Sequence, residues 1–225
     1  MPTKVFVAIP VHGEMKKETE FTMSAFRVEA MGLGFGLEEF RWVGDSLIAH
    51  ARNVCVAKFL QSDATDLFFL DADVGAGVGA LTRMLTHRVD MVAGVYRRKM
   101  DEESYPVRWK MDSERVIDPR TGLLAADAVP FGFVRISREM VQFMVETLAE
   151  DWFYTPLLPD VKVPCLFNTE VAFRQFWGED FYFCRRVRET GHMIWVDPDI
   201  PLRHVGDKIY EGHLGNYLRR TGELK

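Results

Sequence analysis

Cysteine is scarce: three in 225 residues, with no CxxC pair. Cys55, Cys165 and Cys184 are widely spaced and odd in number, so they build neither a disulfide framework nor a zinc site. A reducing cytoplasm is the expected compartment. No apolar run approaches the roughly 20 residues of a membrane helix. Met1-Pro2-Thr3-Lys4 leads directly into an apolar strand pattern, without the layout of a signal peptide. A basic excess is also missing: 28 Lys and Arg against 33 Asp and Glu give a formal net charge of −5, which argues against dedicated nucleic-acid binding. There is no internal repeat, low-complexity tract or convincing linker. What is present is an ordinary globular composition, 48% hydrophobic and 12% aromatic, in a length that suits one domain over residues 1–225.

Val5–Ile9 is a β-branched apolar run stopped by Pro10 and reads as a buried strand. A loop at His12-Gly13-Glu14 leads to a predicted helix around Lys16–Met31, broken by Gly32, Gly34 and Gly36. Arg41–Val43 reads as a second strand. Asp45-Ser46 supplies an N-cap for a helix with Ile48, Ala51, Val54, Cys55 and Phe59 at helical spacing. Leu67–Leu70 is a buried strand, Gly79–Thr86 a helix and Met91–Tyr96 a strand. This alternation predicts an α/β fold with a mostly parallel central sheet flanked by helices, its ligands beyond the carboxyl ends of the strands. The second half is more mixed. Tyr105–Met111 and Leu123–Asp127 flank a turn at Asp118–Gly122, and Val129–Ile136 is a strand before a helix at Arg138–Ala149. Asp151–Asn168, with its prolines, reads as an ordered loop over a cleft. A helix runs from Glu179 to Gly191 and a strand over Met193–Val196. The tail after Gly206 has no clear period.

The sharpest local signal is Asp71-Ala72-Asp73, directly after Leu67–Leu70. Two carboxylates one residue apart at a strand end can reach one hard cation. An Asp after a strand also makes a simple Asx turn. The four apolar residues before the pair bury the strand, so its end faces a crevice rather than an arbitrary surface.

Taken with Ile9-Pro10, Ile48-Ala49-His50-Ala51-Arg52-Asn53, Gly178-Glu179-Asp180 and Leu202-Arg203-His204, the acid pair resembles the GT-A class of glycosyltransferases, particularly small family-two-like members, over roughly residues 4 to 206. The resemblance implies a GT-A-type, Rossmann-like fold with a smaller mixed acceptor-side region. Residues 1–100 would be the nucleotide-sugar half, 101–206 the acceptor and catalytic half, and 207–225 a tail. It further implies sugar transfer from a nucleoside-diphosphate sugar, UDP being the commonest carrier, to an acceptor hydroxyl. The cofactor would be a divalent metal, Mn2+ or Mg2+, held by Asp73 and His204, with Asp71 on the metal or the ribose. Pro10, His12, Arg52, Asn53, Ala72 and Arg97 fall on the donor side; Phe131, Gly132 and Trp177 fall on the acceptor side.

Each of these has a plainer reading. His204 serves equally as a polar core or surface residue, and Arg52 as a solvated flank. Arg97-Arg98-Lys99 could neutralise a diphosphate from the strand end, but a charge run there is more often a solvated loop, the favoured reading for Arg98 and Lys99. Gly132 in a strand is explained by a ligand or by a bulge. Asp180 lies on the inward helical stripe with Phe183, Cys184 and Val187, an unexpected place for an acid, whereas Glu179 lies off it. Acids also suit any first helical turn. In inverting relatives the matching acid takes the acceptor proton, which makes Asp180, beside Glu179, the candidate base. The rivals are a nucleotide-sugar or glycan binding module without turnover, and a sugar nucleotidyltransferase. The loop Pro10–Glu14 lacks the glycine-rich, arginine-containing phosphate loop of the latter.

Overall fold

Val5–Ile9 is apolar on both faces, which suits a strand covered on both sides. In the computed structural model, which describes residues 3–111, 115–172 and 174–224, this run is the centre of β1 (Lys4–Val11). Met1 and Pro2 lie outside the described residues. α1 (Lys17–Leu33) ends at Gly34, whose φ of +73° is the left-handed conformation that closes a helix. β2 (Gly36–Val43) starts five residues before the predicted Arg41. The added part carries Glu38 and Glu39 at the sheet edge, where both faces tolerate charge and no apolar pattern marks a strand. α2 (Ile48–Gln61) does not use Asp45-Ser46 as its cap. Asp45 instead makes an Asx turn, accepting the Leu47 N–H at 2.9 Å. β3 (Asp66–Leu70), β4 (Val74–Ala76), α3 (Ala80–Thr86) and β5 (Met91–Gly94) follow.

β6 (Arg108–Trp109) and β7 (Leu124–Ala128) pair across the predicted turn, although β6 is much shorter than Tyr105–Met111. β8 (Phe133–Ser137) begins only after Gly132, and α4 (Arg138–Leu148) is capped by Ser137 Oγ on the Met140 N–H. The stretch read as a loop over a cleft is mostly a hairpin, β9 (Trp152–Thr155) and β10 (Leu158–Pro164), packed on α2. Its prolines fall in the turn and on a two-stranded ribbon, positions that tolerate a missing N–H. β11 (Glu170–Ala172) and β12 (Gln175–Trp177) form another hairpin before α5 (Glu179–Glu189), which closes at Gly191 with φ +84°. β13 (Ile194–Asp197), β14 (Leu202–Val205), β15 (Ile209–Gly212) and α6 (Leu214–Arg220) complete the chain, so the tail after Gly206 is structured.

The central sheet has the order β2-β1-β3-β8-β5-β13-β7-β6. Six of its eight strands run one way; β8 and β7 run against them, so β8 makes antiparallel pairs with both neighbours. The fold is therefore mixed α/β, with a large, mostly parallel sheet between helices. Phe59, Phe131 and Phe183 pack on the face covered by α2, α4 and α5, while Phe26 and Phe68 pack on the face covered by α1 and α3. A second sheet, β15-β14-β4, links the end of β3 to the late part of the chain. In it His204 lies opposite Val74, and the Val205 N–H donates to the Asp73 carbonyl at 2.8 Å. Backbone pairing alone thus carries His204 to the acid pair. Among the described residues, no helix is long and apolar enough to cross a membrane.

Candidate functional site

β1 and β3 end side by side, and a groove of about 410 Å³ opens beyond them, lined by Pro10, His12, Lys16, Asp45, Asp71 and Asp73. Ala72 lines it as well, and its carbonyl accepts the Lys16 N–H at 2.8 Å. A larger cavity, about 550 Å³, lies between α5 and β7 around Lys110, Arg185 and Arg188; it contains none of the candidate acids.

Asp71 closes β3, and its N–H donates to the Gly132 carbonyl at 3.0 Å. Its carboxylate turns inward, accepting from Arg52 Nη2 at 3.1 Å and from the Tyr96 hydroxyl at 3.4 Å. Arg52 is 3% exposed and lies beneath the groove floor. It donates to Glu179 at 3.3 Å and to the Phe131 carbonyl at 3.4 Å, with its guanidinium against the rings of Phe69 and Phe131. Burial opposes its charge, but Asp71 and Glu179 outweigh burial and hold the guanidinium protonated more firmly than usual. Asp71 is shifted upward, by burial first and by Asp73 as well, against the pull of Arg52.

Asp73 stands nearer solvent and points elsewhere. His204 Nε2 is 3.7 Å from its Oδ2, and Lys99 Nζ bonds the same oxygen. Burial raises this carboxyl, yet His204 and Lys99 together hold it below the ordinary range. His204 Nδ1 lies 2.9 Å from the Arg97 carbonyl, which only accepts, so Nδ1 carries a proton and Nε2 is the nitrogen turned toward Asp73. The Tyr96 ring packs on the imidazole at 4.6 Å.

Asp180, in the first turn of α5, accepts the Phe181 N–H at 2.7 Å. Burial, and then the charge of Glu179, push its carboxyl up to about 6, with Arg52 opposing. The neighbouring acids divide their roles: Glu179 is committed to Arg52, and Asp180 has no cation on it among the described residues.

Arg52 joins Asp71 to Glu179, Tyr96 links Asp71 to His204, and His204 faces Asp73, so these residues form one constellation with Asp180 close enough to feel its charges. Several other candidates are placed differently. Asn53 spends its amide on the Phe167 carbonyl at 2.8 Å and on the Leu166 and Phe167 N–H groups, so it straps the chain after β10 to α2 instead of meeting a donor. Arg97 turns its guanidinium onto the carbonyls of Met100 and Asp101, and contributes to the site through its own carbonyl. Phe131 is fully buried between Phe69, Phe167 and Phe183. Gly132 is there for space: a Cβ would come within 2.6 Å of Asp71 Oδ2 and 2.7 Å of Tyr96. Trp177 is 8% exposed and covered by the guanidinium of Arg108 at 4.6 Å. His12 lies at the rim, 3.3 Å from the Asp45 carbonyl.

Three neighbours were not singled out for the site by sequence reasoning. Tyr96 and Lys99 follow β5, where burial and a charge run hide their partners. Asp45, read only as a cap, lines the groove and bonds Trp42 Nε1 and the His50 ring. Its signal was its place at the end of β2, beside the end of β1.

No family model matches the sequence, and no curated protein matches it. Among solved structures, protein A197 from STIV aligns with a TM-score of 0.58 at 18% identity, over 91% of this chain and 87% of that one. GalNAc-T7, solved with UDP, GalNAc and Mn2+, aligns with a TM-score of 0.54 at 15% identity. That match covers 98% of this chain, which spans about half (48%) of the GalNAc-T7 chain. Inositol-1-phosphate CTP transferase from T. maritima aligns at 0.41 and 10% identity, over 87% and 85%. What the chain shares with the first two is a GT-A-like, Rossmann-related α/β fold.

Proposed function

We propose that this protein is a metal-dependent glycosyltransferase, moving a sugar from a nucleoside-diphosphate sugar, with UDP as the first carrier to test, to an acceptor hydroxyl in the cytoplasm. One observation carries the reading: Asp73, on the groove, faces His204 Nε2, while Asp180, close enough to feel the charges of Arg52 and Asp71, is held as a weakly acidic carboxyl with no cation on it among the described residues.

A divalent ion fits part of the expected ligand set. Asp73 and His204 supply an oxygen and a nitrogen, a pair suited to Mn2+ or Mg2+ with phosphate oxygens and water completing the shell. Asp71 is diverted to Arg52 and Tyr96, and among the described residues no three His, Cys, Asp or Glu side chains are grouped to hold a metal. Asp71 is therefore assigned to shaping the groove and to the ribose side of the donor. When bound, the ion would neutralise charge on the diphosphate as a Lewis acid.

The remaining work belongs to the chain. Asp180 accepts the acceptor hydroxyl proton as the oxygen attacks the anomeric carbon. The bond from that carbon to the diphosphate oxygen breaks, and its electron pair leaves with the diphosphate. A single displacement of this kind inverts the anomeric centre. Arg52 pairs with Glu179 at 3.3 Å, which leaves Asp180 to take the proton.

A thermal-shift screen of nucleotide sugars with and without MnCl2 tests the reading, since a ligand bound only to the native state raises stability by mass action. The expected result is a Mn2+-dependent rise with one donor that is lost in Asp73→Asn. A donor shift equal in the two proteins, or no shift with any nucleotide sugar, contradicts it.

A further inference from the structure

Lys99 closes the basic run that follows β5, and sequence reasoning leaves it to solvent. In the structure its Nζ bonds Asp73 Oδ2, the same oxygen that faces His204 Nε2 at 3.7 Å. The surrounding chain is shaped to hold it there. The Arg97 carbonyl fixes the His204 ring, and the Arg98 N–H donates to the Ser104 carbonyl at 2.9 Å. The Lys99 stem crosses Gly206, where a Cβ would lie 3.1 Å from its Cδ. Lys208, on the same stretch as Gly206, pairs with Asp101 and ties the loop down.

A carboxylate, an imidazole nitrogen and an ammonium thus meet at one place. The first two are donors for a divalent ion, and the third is a cation already on the shared oxygen. Two cations on one carboxylate oxygen repel each other strongly at such distances. We propose that Lys99 is the resident counter-cation of Asp73, displaced when a divalent ion enters with the nucleotide diphosphate and then free to move onto the phosphates. This rests on the reading of the groove as a metal and nucleotide-sugar site. It makes the ion a weak ligand by itself and gives Lys99 a positioning role on Asp73 before the donor arrives.

The test is calorimetric titration of MnCl2 alone into the wild-type protein, Lys99→Met and Lys99→Arg. Lys99→Met should bind Mn2+ about two- to fivefold more tightly, the scale of one partly exposed ion pair that no longer has to be broken. Lys99→Arg, which keeps the charge, should stay near wild type. Binding no tighter in Lys99→Met, or tightening by Lys99→Arg to the same degree, overturns the exchange. The two readings fail separately. Tighter Mn2+ binding in a protein that turns over no nucleotide sugar sinks the transfer reading alone; unchanged Mn2+ binding in an active transferase sinks the exchange alone.

Discussion

Asp180 shows at the scale of one residue how a site departs from what stability prefers. Burial and Glu179 raise its carboxyl from 3.8 to about 6. A carboxyl raised in the folded state adds stability while protonated, below its ordinary value, and that contribution disappears as pH rises through about 6. At neutral pH the folded protein therefore holds a carboxylate it would sooner protonate, and a general base gains proton affinity from the same cause. Replacing it by a neutral isostere should relieve the strain. Asp180→Asn is expected to melt at a higher temperature than wild type at pH 8, with the difference vanishing near pH 4. Differential scanning calorimetry at the two pH values checks this, and a lower melting temperature at pH 8 would show that the carboxylate is compensated. Helical spacing exposed Asp180, because an acid on an apolar stripe stands out. The same spacing left Arg52 as a solvated flank. Its burial depends on Asp71 and Glu179, which reach it from other elements and leave no mark in the local pattern.

At the scale of elements, strands and loops supply the site and helices hold them in place. Asp197 ends β13 at 1% exposure and bonds Arg83 Nε and His87 Nε2, both at 2.6 Å, tying α3 and the segment after it to the sheet. Burial raises its carboxyl, but the His87 and Arg83 bonds prevail and bring it down to about 2. For a depressed carboxyl the contribution is present above its ordinary value of 3.8 and is lost as pH falls through about 2. Asp197→Asn should cost about 2 kcal/mol at pH 7, less as pH is lowered toward 3, as read from urea unfolding. An equal cost at both pH values would place the loss in packing rather than charge. The apolar elements β1, α2, β3 and α5 were legible because burial on one or both faces writes itself as a run or a stripe. β4, three residues long, and β15, alternating exposed with half-buried, carry no such signature. Their pairing with β14 is nevertheless what sets His204 beside Asp73, so this juxtaposition is a tertiary fact the local sequence could only place by resemblance.

At the scale of the whole molecule, the sheet brings the ends of β1 and β3 together at one edge of the groove, and the order of its strands decides which distant segments meet there. β8, inserted against the grain between β3 and β5, is preceded by Gly132, and the space left by that glycine lets Asp71 and Tyr96 approach each other. α5 then points its first turn, with Glu179 and Asp180, at Arg52 beneath the groove. The central claim is that this arrangement transfers a sugar with Asp180 as base. Its most direct test is the rate of nucleoside diphosphate release from the donor identified by thermal shift, followed for wild type and Asp180→Asn in MnCl2 with donor binding measured alongside. The expected result is unchanged donor affinity with release slowed on the order of a hundredfold or more. Release at the wild-type rate from Asp180→Asn would contradict it.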